Sequence, residues 1–260
     1  MTEALSELPL FGFDLTLPAI IEPSAVLTRA DVGGQLVMCF FQEVIENIAS
    51  QREARLVHTL RSEAREFPIF EIDHHGKRLA FMHAGLGAPL SAGLMEEVIA
   101  LGFHHIMACG GCGVLDSALA VGHLLLPVAA IRDEGTSYHY LPPSSEVMAD
   151  PESIQALENT LGARNIPYLE TKTWTTDALY RETAARADRF RKAGCLAVEM
   201  EAAAMMAVAQ FRGVNFGQLL YGGDTVIEGA WDRRDWYQRG EIRENLFWLT
   251  AEACLSLGES

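Results

Sequence analysis

The amino-acid sequence predicts an α/β fold, a single-domain three-layer α/β/α sandwich around a central mixed, largely parallel sheet. Short apolar runs rich in Val, Ile, Leu and Phe alternate with helix-like segments along the chain. These runs show little alternation of apolar and polar residues, which is typical of strands buried on both faces. The 260 residues are 49% hydrophobic and 21% charged, without a repeat or low-complexity linker. This composition suffices for a full core, so we expect one domain over residues 1–260.

Strands and helices alternate in chain order. The apolar runs predict strands over residues 35–41, 68–73, 78–83, 105–109, 123–130, 166–170 and 216–221. Periodicity and capping residues predict helices over residues 91–102, 150–162, 181–192, 199–212 and about 241–257. The first of these begins at a Ser91 cap and ends at Gly102, and the second has Asp150 as N-cap followed by Pro151. Ligands bind at the carboxyl ends of strands in such sheets, so we expect the functional site there.

Charge and cysteine content exclude several classes of function. Twenty Lys and Arg against 35 Asp and Glu give a net charge of −15. Such a surface repels phosphate backbones and anionic lipid, so we expect no nucleic-acid or membrane partner, although a pocket can be locally positive. Residues 1–4 (Met-Thr-Glu-Ala) lack the basic and apolar regions of a signal peptide, and no run approaches the roughly 20 apolar residues of a membrane span. The odd number of cysteines, five, indicates reduced thiols, so we expect a cytoplasmic protein.

Two glycine-rich segments directly follow predicted strands. They are residues 83–89 (His-Ala-Gly-Leu-Gly-Ala-Pro) and 109–113 (Cys-Gly-Gly-Cys-Gly). Glycine lets backbone N–H groups turn towards an anion, but purely structural turns of this kind are as common, and neither segment has the dinucleotide G-x-G-x-x-G spacing. Cys109 and Cys112 form a CxxC, which could be a redox pair or half a zinc site. Since no further Cys or His has a distinctive spacing, we interpret them as small side chains and expect no metal.

Residues 197–204 (Ala-Val-Glu-Met-Glu-Ala-Ala-Ala) place two carboxylates where a strand meets an Ala-rich helix. The helix N-terminus partly stabilises negative charge there. Glu199 and Glu201 bracket one residue and therefore project in different directions. A carboxylate at the end of a strand can accept hydrogen bonds from two adjacent sugar hydroxyls, while Met200 packs on the sugar ring. An ordinary charged helix start is the alternative interpretation.

In their order, these motifs resemble the class I nucleoside phosphorylases, a family of uridine phosphorylases, hexameric purine nucleoside phosphorylases and methylthioadenosine/adenosylhomocysteine nucleosidases. The resemblance covers roughly residues 68–225 and is carried by residues 85–91, 110–113, 121–123, 132–137, 176–180 and 198–202. It implies a phosphorylase-like fold and cleavage of an N-glycosidic bond through an oxocarbenium-like sugar. Inorganic phosphate would be the co-substrate, with no cofactor, and the products would be a free base and (deoxy)ribose 1-phosphate.

The resemblance also implies roles for individual residues. Glu201 would bind the ribose 2′- and 3′-hydroxyls, with Met200 against the ring and Glu199 in support. Asp224 would join Glu201 as a catalytic residue, since purine-specific members place an Asp there that donates a proton to, or hydrogen-bonds, the purine N7. The residues that match the base pocket are Cys112, Gly113, Leu179 and Tyr180. Cys112 and Asp224 favour a purine-type base.

The implied phosphate-binding residues are Arg65, Gly87, Gly110 and Gly111. At this site the chain departs from the family pattern. We align the family's early Gly-Asp-Pro loop with residues 21–24, where Glu22 would oppose a phosphate dianion, and Ala108 replaces an arginine. Replacement charge could come from Arg29, Arg132 or Arg181. Arg65 matches an arginine that family members lend to a neighbouring subunit, which predicts a homo-oligomer, a dimer or a hexamer.

We therefore expect a nucleoside phosphorylase, with two alternatives. Water as the nucleophile would make the protein a nucleosidase. A non-catalytic nucleoside-binding protein on the same fold is the other alternative. The presence of Met200, Glu201 and Asp224 together argues against it, because a pure binder needs no proton donor at the leaving base.

Overall fold

The computed structural model describes residues 8–14, 16–227 and 230–258. Residues 1–4, on which the expected lack of a signal peptide rests, lie outside the described residues. The strands are β1 Gln35–Cys39, β2 Arg55–Arg61, β3 Glu66–His74, β4 Lys77–His83, β5 His105–Val114, β6 Leu124–Asp133, β7 Glu146–Met148, β8 Tyr168–Thr176, β9 Cys195–Glu199, β10 Asn215–Ile227 and β11 Ala230–Asp232. The helices are α1 Pro23–Val26, α2 Gln42–Gln51, α3 Ala88–Leu101, α4 Pro151–Ala163, α5 Ala184–Lys192, α6 Ala202–Arg212 and α7 Gly240–Ser256.

All the described strands belong to one mixed sheet. Its order is β11-β10-β6-β8-β9-β5-β1-β4-β3-β2, and β7 pairs with β6. Strand β1 lies parallel between β4 and β5, whereas β2, β3 and β4 pair antiparallel. Strand β5 also pairs with β10, so β5, β10, β6, β8 and β9 close into a ring. The predicted mixed sheet is confirmed, and its curl brings the carboxyl ends of β5, β9 and β10 together.

The helices cover both faces of the sheet. Along β1, Leu36 and Met38 pack towards α3 and α6, whereas Val37 and Cys39 pack towards α2, α4 and α7. Every one of these four side chains is fully buried, which is why the strand lacks apolar–polar alternation. The predicted α/β/α sandwich is therefore confirmed.

Several elements differ from the prediction. Strands β2, β7 and β11 and helices α1 and α2 were not predicted, and β9 was expected only as the strand before the Ala-rich helix, without bounds. Strand β2 is an edge strand with mostly polar residues, β7 and β11 have only three residues each, and α1 has four. The predicted helix over 199–212 begins at Ala202, and the predicted strand over 166–170 runs instead from Tyr168 to Thr176.

The two glycine-rich segments have different structures. The first is a turn, in which Gly85 and Gly87 adopt φ values of 79° and 87° that favour glycine. The second is not the expected turn, because residues 110–113 lie inside β5. A Cβ at Gly110 would come within 2.9 Å of the Phe40 ring, and one at Gly111 within 3.2 Å of the Tyr221 ring. Glycine is needed there because large side chains approach the strand closely. No helix among the described residues is long and apolar enough to cross a membrane.

Candidate active site

A cavity of about 840 Å³ opens at the carboxyl halves of β5, β9 and β10. This volume is in the range of small-molecule sites. The predicted site residues that line it are Gly111, Cys112, Gly113, Leu179, Tyr180, Glu199, Met200, Glu201 and Asp224. Three predicted phosphate-binding residues, Arg65, Gly87 and Gly110, do not line it. The structure thus brings the predicted sugar and base residues together, but most of the predicted phosphate residues lie elsewhere.

Glu199 organises the turn between β9 and α6. Its Oε2 accepts the N–H groups of Glu201 at 2.7 Å and Ala202 at 2.6 Å. Its Oε1 accepts the hydroxyls of Thr173 at 3.1 Å and Thr175 at 2.6 Å. These bonds satisfy orphan N–H groups at the start of α6, although burial still raises the pKa of Glu199. Glu199 therefore holds the turn in place instead of offering a free oxygen to a ligand.

Glu201 presents a second buried carboxyl group to the cavity. It is 5% exposed, and its Oε1 accepts the N–H of Gly87 at 2.6 Å. Its Oε2 accepts only a long bond of 3.3 Å from the N–H of Met200. Burial, and then the charge of Glu199, raise the pKa of Glu201 to about 8. Gly87, a predicted phosphate-binding residue, thus donates its N–H to the carboxyl group of Glu201. A buried acid aimed into a cavity is costly for stability and typical of a functional site.

Asp224 lies on the part of the cavity wall formed by β10 and β11. Its Oδ2 accepts the indole N–H of Trp231 at 2.6 Å, and Arg234 donates to its backbone carbonyl at 3.2 Å. A Cβ at Gly113 would lie 2.9 Å from Val198 and 3.6 Å from Oδ1 of Asp224. The glycine therefore lets Val198 and the Asp224 carboxyl approach the strand closely.

Sequence reasoning missed several residues that line the cavity. They are Phe40, Phe41, His83, Leu86, Glu182, Gln218, Trp231, Arg233, Trp236, Tyr237 and Arg243. The guanidinium of Arg243 lies 4.6 Å from the centre of the Phe41 ring and 5.4 Å from that of Trp236. It is 7% exposed, donates to the Tyr221 hydroxyl at 3.3 Å and pairs with Glu43. His83 and Leu86 belong to the first glycine-rich segment, but no motif marks the others, since they come from separate segments that only the fold brings together.

The expected position of the early phosphate loop is wrong. The segment that follows β1 and lines the cavity contains Phe40 and Phe41. The Glu22 carboxylate instead accepts the N–H of Ala19 at 2.7 Å and pairs with Arg212 at 3.1 Å. Glu22 therefore does not face the cavity, and two aromatic rings occupy the wall where the sequence suggested a carboxylate.

The suggested replacement cations are also engaged elsewhere or lie outside the cavity wall. Arg132 is buried and donates to Ser137 at 2.8 Å and to the carbonyl of Pro142 at 2.7 Å. Arg29 hydrogen-bonds His104 at 3.1 Å, and Arg181 is exposed and is not part of the cavity wall.

Arg65 lies outside the cavity wall, next to Gln42 and Phe67. It donates to Oε1 of Gln42 at 2.9 Å, and its guanidinium is 5.2 Å from the centre of the Phe67 ring. Burial, and then the charge of Arg65, lower the pKa of His83, which does line the cavity. Arg65 is therefore an exposed cation within electrostatic reach of the cavity wall.

The CxxC does not form a joint site. Cys109 packs with Val37 on one side of β5, whereas Cys112 packs with Val114 and Leu125 on the other. Both are free thiols, and burial raises the pKa of each. Within the described residues, no group of three or more His, Cys, Asp or Glu could hold a metal ion.

The hydroxyl of Thr175 helps to hold Glu199 in place, and its contribution to the stability of the protein can be tested. Thr175→Val should lower the free energy of unfolding by about 1–3 kcal/mol, because it leaves the buried N–H of Ala203 without a partner and removes the shorter of the two hydroxyl bonds to Oε1 of Glu199. Urea unfolding measures this change. Thr160→Val is the matched control, since the Thr160 hydroxyl bonds only a carbonyl of its own helix. Equal effects of the two substitutions would contradict a special role for the turn.

The described sheet and cavity define a mixed α/β protein with a small-molecule site and buried carboxyl groups at the ends of the strands. The chain belongs to the phosphorylase superfamily, whose family model matches residues 36–243.

Individual relatives agree with this assignment. The chain is 31% identical over 173 residues to a guanosine phosphorylase of Halorubrum lacusprofundi, covering 65% of this chain and 70% of that protein. It is 28% identical over 166 residues to a uridine phosphorylase of Thermococcus kodakarensis, covering 59% and 60% of the two chains. The crystal structure of a purine nucleoside phosphorylase from Toxoplasma gondii has the same fold, with a TM-score of 0.72, 22% identity and coverage of 86% and 91%.

Proposed function

We propose that the protein is a nucleoside phosphorylase, which cleaves the N-glycosidic bond of a purine-type (deoxy)ribonucleoside with phosphate. The observation that carries the proposal is one cavity lined by the buried carboxyl of Glu201 and by Asp224 beside Trp231. The carboxyl of Glu201 suits the hydroxyls of a sugar, and Asp224 beside Trp231 suits a base. Relatives named guanosine and uridine phosphorylase support the reaction class. We also propose a cytoplasmic homo-oligomer, a dimer or a hexamer.

At the sugar, Glu201 would accept hydrogen bonds from the 2′- and 3′-hydroxyls while Met200 packs against the ring. Positive charge builds on the sugar as the N-glycosidic bond breaks, so these hydrogen bonds strengthen in the transition state. Glu199 contributes indirectly, because it holds the N–H groups of Glu201 and Ala202.

At the base, Asp224 would donate a proton to, or hydrogen-bond, a ring nitrogen. Cys112, Gly113, Leu179 and Tyr180 line the same cavity, and Trp231 and Trp236 add aromatic surface that suits a planar base. The thiol of Cys112 stays neutral because burial raises its pKa.

For the nucleophile, Arg65 and His83 are the groups that suit phosphate, with Gly111 in the adjacent wall. A second candidate function is hydrolysis by water. It is favoured by the aromatic rings of Phe40 and Phe41, which line the cavity next to β1, and by Ala108 in place of an arginine.

One experiment tests the proposal. Purified protein is incubated with guanosine, inosine, adenosine, uridine and their 2′-deoxy forms, with and without phosphate. Free base is measured by chromatography and sugar 1-phosphate by phosphorus NMR. We expect purine release that requires phosphate and equals the sugar 1-phosphate formed. Base release at the same rate without phosphate would establish the nucleosidase instead. Tight binding without base release would establish a nucleoside-binding protein.

A further inference from the structure

Glu182 is a carboxyl group in the cavity to which no role has been given. It follows the 3-10 turn Leu179–Arg181 and precedes α5. Its N–H donates to the carbonyl of Leu179 at 3.3 Å, and the next residue, Thr183, caps α5 by accepting the N–H of Arg186 at 3.4 Å. The backbone on both sides of Glu182 is therefore fixed, and the half-buried side chain lines the same cavity as Asp224.

The charges around Glu182 favour its protonated form. Burial, and then the charge of Asp224, raise the pKa of Glu182 to about 7. Arg186 offsets part of this rise, but its guanidinium also bonds Asp133 and lies 5.7 Å from the centre of the Trp174 ring. No hydrogen bond of the described residues reaches the carboxyl of Glu182, so its proton is not committed to a protein acceptor.

Other charged or titratable groups that face this cavity do not neutralise Glu182. Glu199 and Glu201 are acids and offer no positive charge that could pair with Glu182, and Arg243 is paired with Glu43. Arg233 lies over the rings of Trp231 and Tyr237, at 5.8 and 5.2 Å from their centres. Tyr180 and His83 complete the set of titratable side chains in the described wall, together with Cys112 and Tyr237.

We propose that Glu182 is a second catalytic carboxyl at the base end of the cavity and donates the proton that the leaving base takes. Asp224 is its charge partner, which keeps that proton on Glu182 until the base departs. A neighbouring acidic group ordinarily favours the protonated form of a carboxyl group in this way. The inference rests on the proposed function and refines it, because Asp224 then hydrogen-bonds or orients the base while Glu182 supplies the proton.

The proton and the electron pairs balance in this step. The C1′–N bond breaks, and its electron pair stays on the base. A ring nitrogen of the base forms a bond to the proton of Glu182, which is left as a carboxylate. The C1′ carbon accepts an electron pair from a phosphate oxygen. The attacking hydrogen phosphate releases its own proton to solvent as the sugar 1-phosphate dianion forms, and Glu182 regains one proton from solvent, so no net proton is gained or lost.

The leaving group provides the test. Guanosine needs a proton to leave as a neutral base, whereas 7-methylguanosine already carries a positive charge and leaves as a neutral base without one. We expect Glu182→Gln to lower kcat/KM for guanosine about 100-fold near neutral pH and to change kcat/KM for 7-methylguanosine less than about threefold. Retained cleavage of 7-methylguanosine also shows that the variant is folded. Glu170→Gln, at an exposed position in β8, is the matched control and should leave both rates unchanged.

The outcomes separate this inference from the proposed function. If the wild-type protein cleaves guanosine and Glu182→Gln keeps that rate, the role of Glu182 is wrong and the phosphorylase proposal stands. If Glu182→Gln loses both substrates equally, the residue is structural and the inference fails. If the wild-type protein cleaves no nucleoside, the proposed function fails, and the inference fails with it.

Discussion

Glu201→Gln should abolish turnover of the best nucleoside. It should also increase the free energy of unfolding relative to that of the wild-type protein, and by more at higher pH. In its ionised form, the Glu201 carboxylate would offer two charged acceptor oxygens to the ribose hydroxyls, which an amide cannot do. A contact of this kind to developing charge is typically worth about 3 kcal/mol or more, which is a loss of roughly a hundredfold or greater in rate. Steady-state kinetics with guanosine and phosphate measure the loss.

The stability part of this prediction follows from the raised pKa of Glu201, about 8 against an ordinary value of 4.5. Between these values the folded state binds more protons than the unfolded state, so the free energy of unfolding falls as the pH rises. Gln removes this penalty and loses mainly the long bond from the Met200 N–H. Urea unfolding of both proteins at about pH 5 and pH 8 should therefore show a difference that increasingly favours the variant.

Glu170→Gln is the control for the kinetic measurement, because this exposed carboxylate lies outside the cavity. A kcat/KM close to that of wild type would remove Glu201 from the mechanism. A difference in unfolding free energy that does not vary with pH would contradict the burial of an acid at this position.

The local sequence predicted the part of the site that lies where one strand is followed directly by one helix. Glu199, Met200 and Glu201 stand at the end of β9 and the start of α6, and a strand-to-helix joint is visible in the sequence. Asp224 was indicated by the family resemblance and not by local sequence; it lies within β10, in the half that reaches the cavity.

The missed parts depend on contacts between distant segments. Pairing of β5 with β10 keeps residues 110–113 in a strand, because Gly111 lies beside Tyr221 in the register. Phe41 and Glu182 meet in one cavity only because the sheet closes into a ring. No periodicity or spacing within one segment reports either contact.

Arg65→Ala should cause near-complete loss of phosphorolysis, with its main effect on phosphate. Ala108 and the Phe40–Phe41 wall offer no charge to a phosphate dianion, so Arg65 would carry most of the anion's charge. A charge-assisted hydrogen bond is worth about 1.5–3 kcal/mol, so losing one or two such bonds lowers kcat/KM for phosphate between about tenfold and several hundredfold or more. We also expect weak phosphate affinity in the wild-type protein. Initial rates over a series of phosphate concentrations measure both.

Arg61→Ala is the matched control for Arg65→Ala. Arg61 is an exposed arginine at the end of β2, close in sequence to Arg65, and it pairs with Glu66 at 3.1 Å without lining the cavity. Its removal changes the net charge equally, so any general effect of charge appears in both variants, and only Arg65→Ala should weaken phosphate use. An unchanged KM for phosphate in Arg65→Ala would show that the anion binds elsewhere. Base release that neither needs phosphate nor depends on Arg65 would instead make water the nucleophile and the protein a nucleosidase.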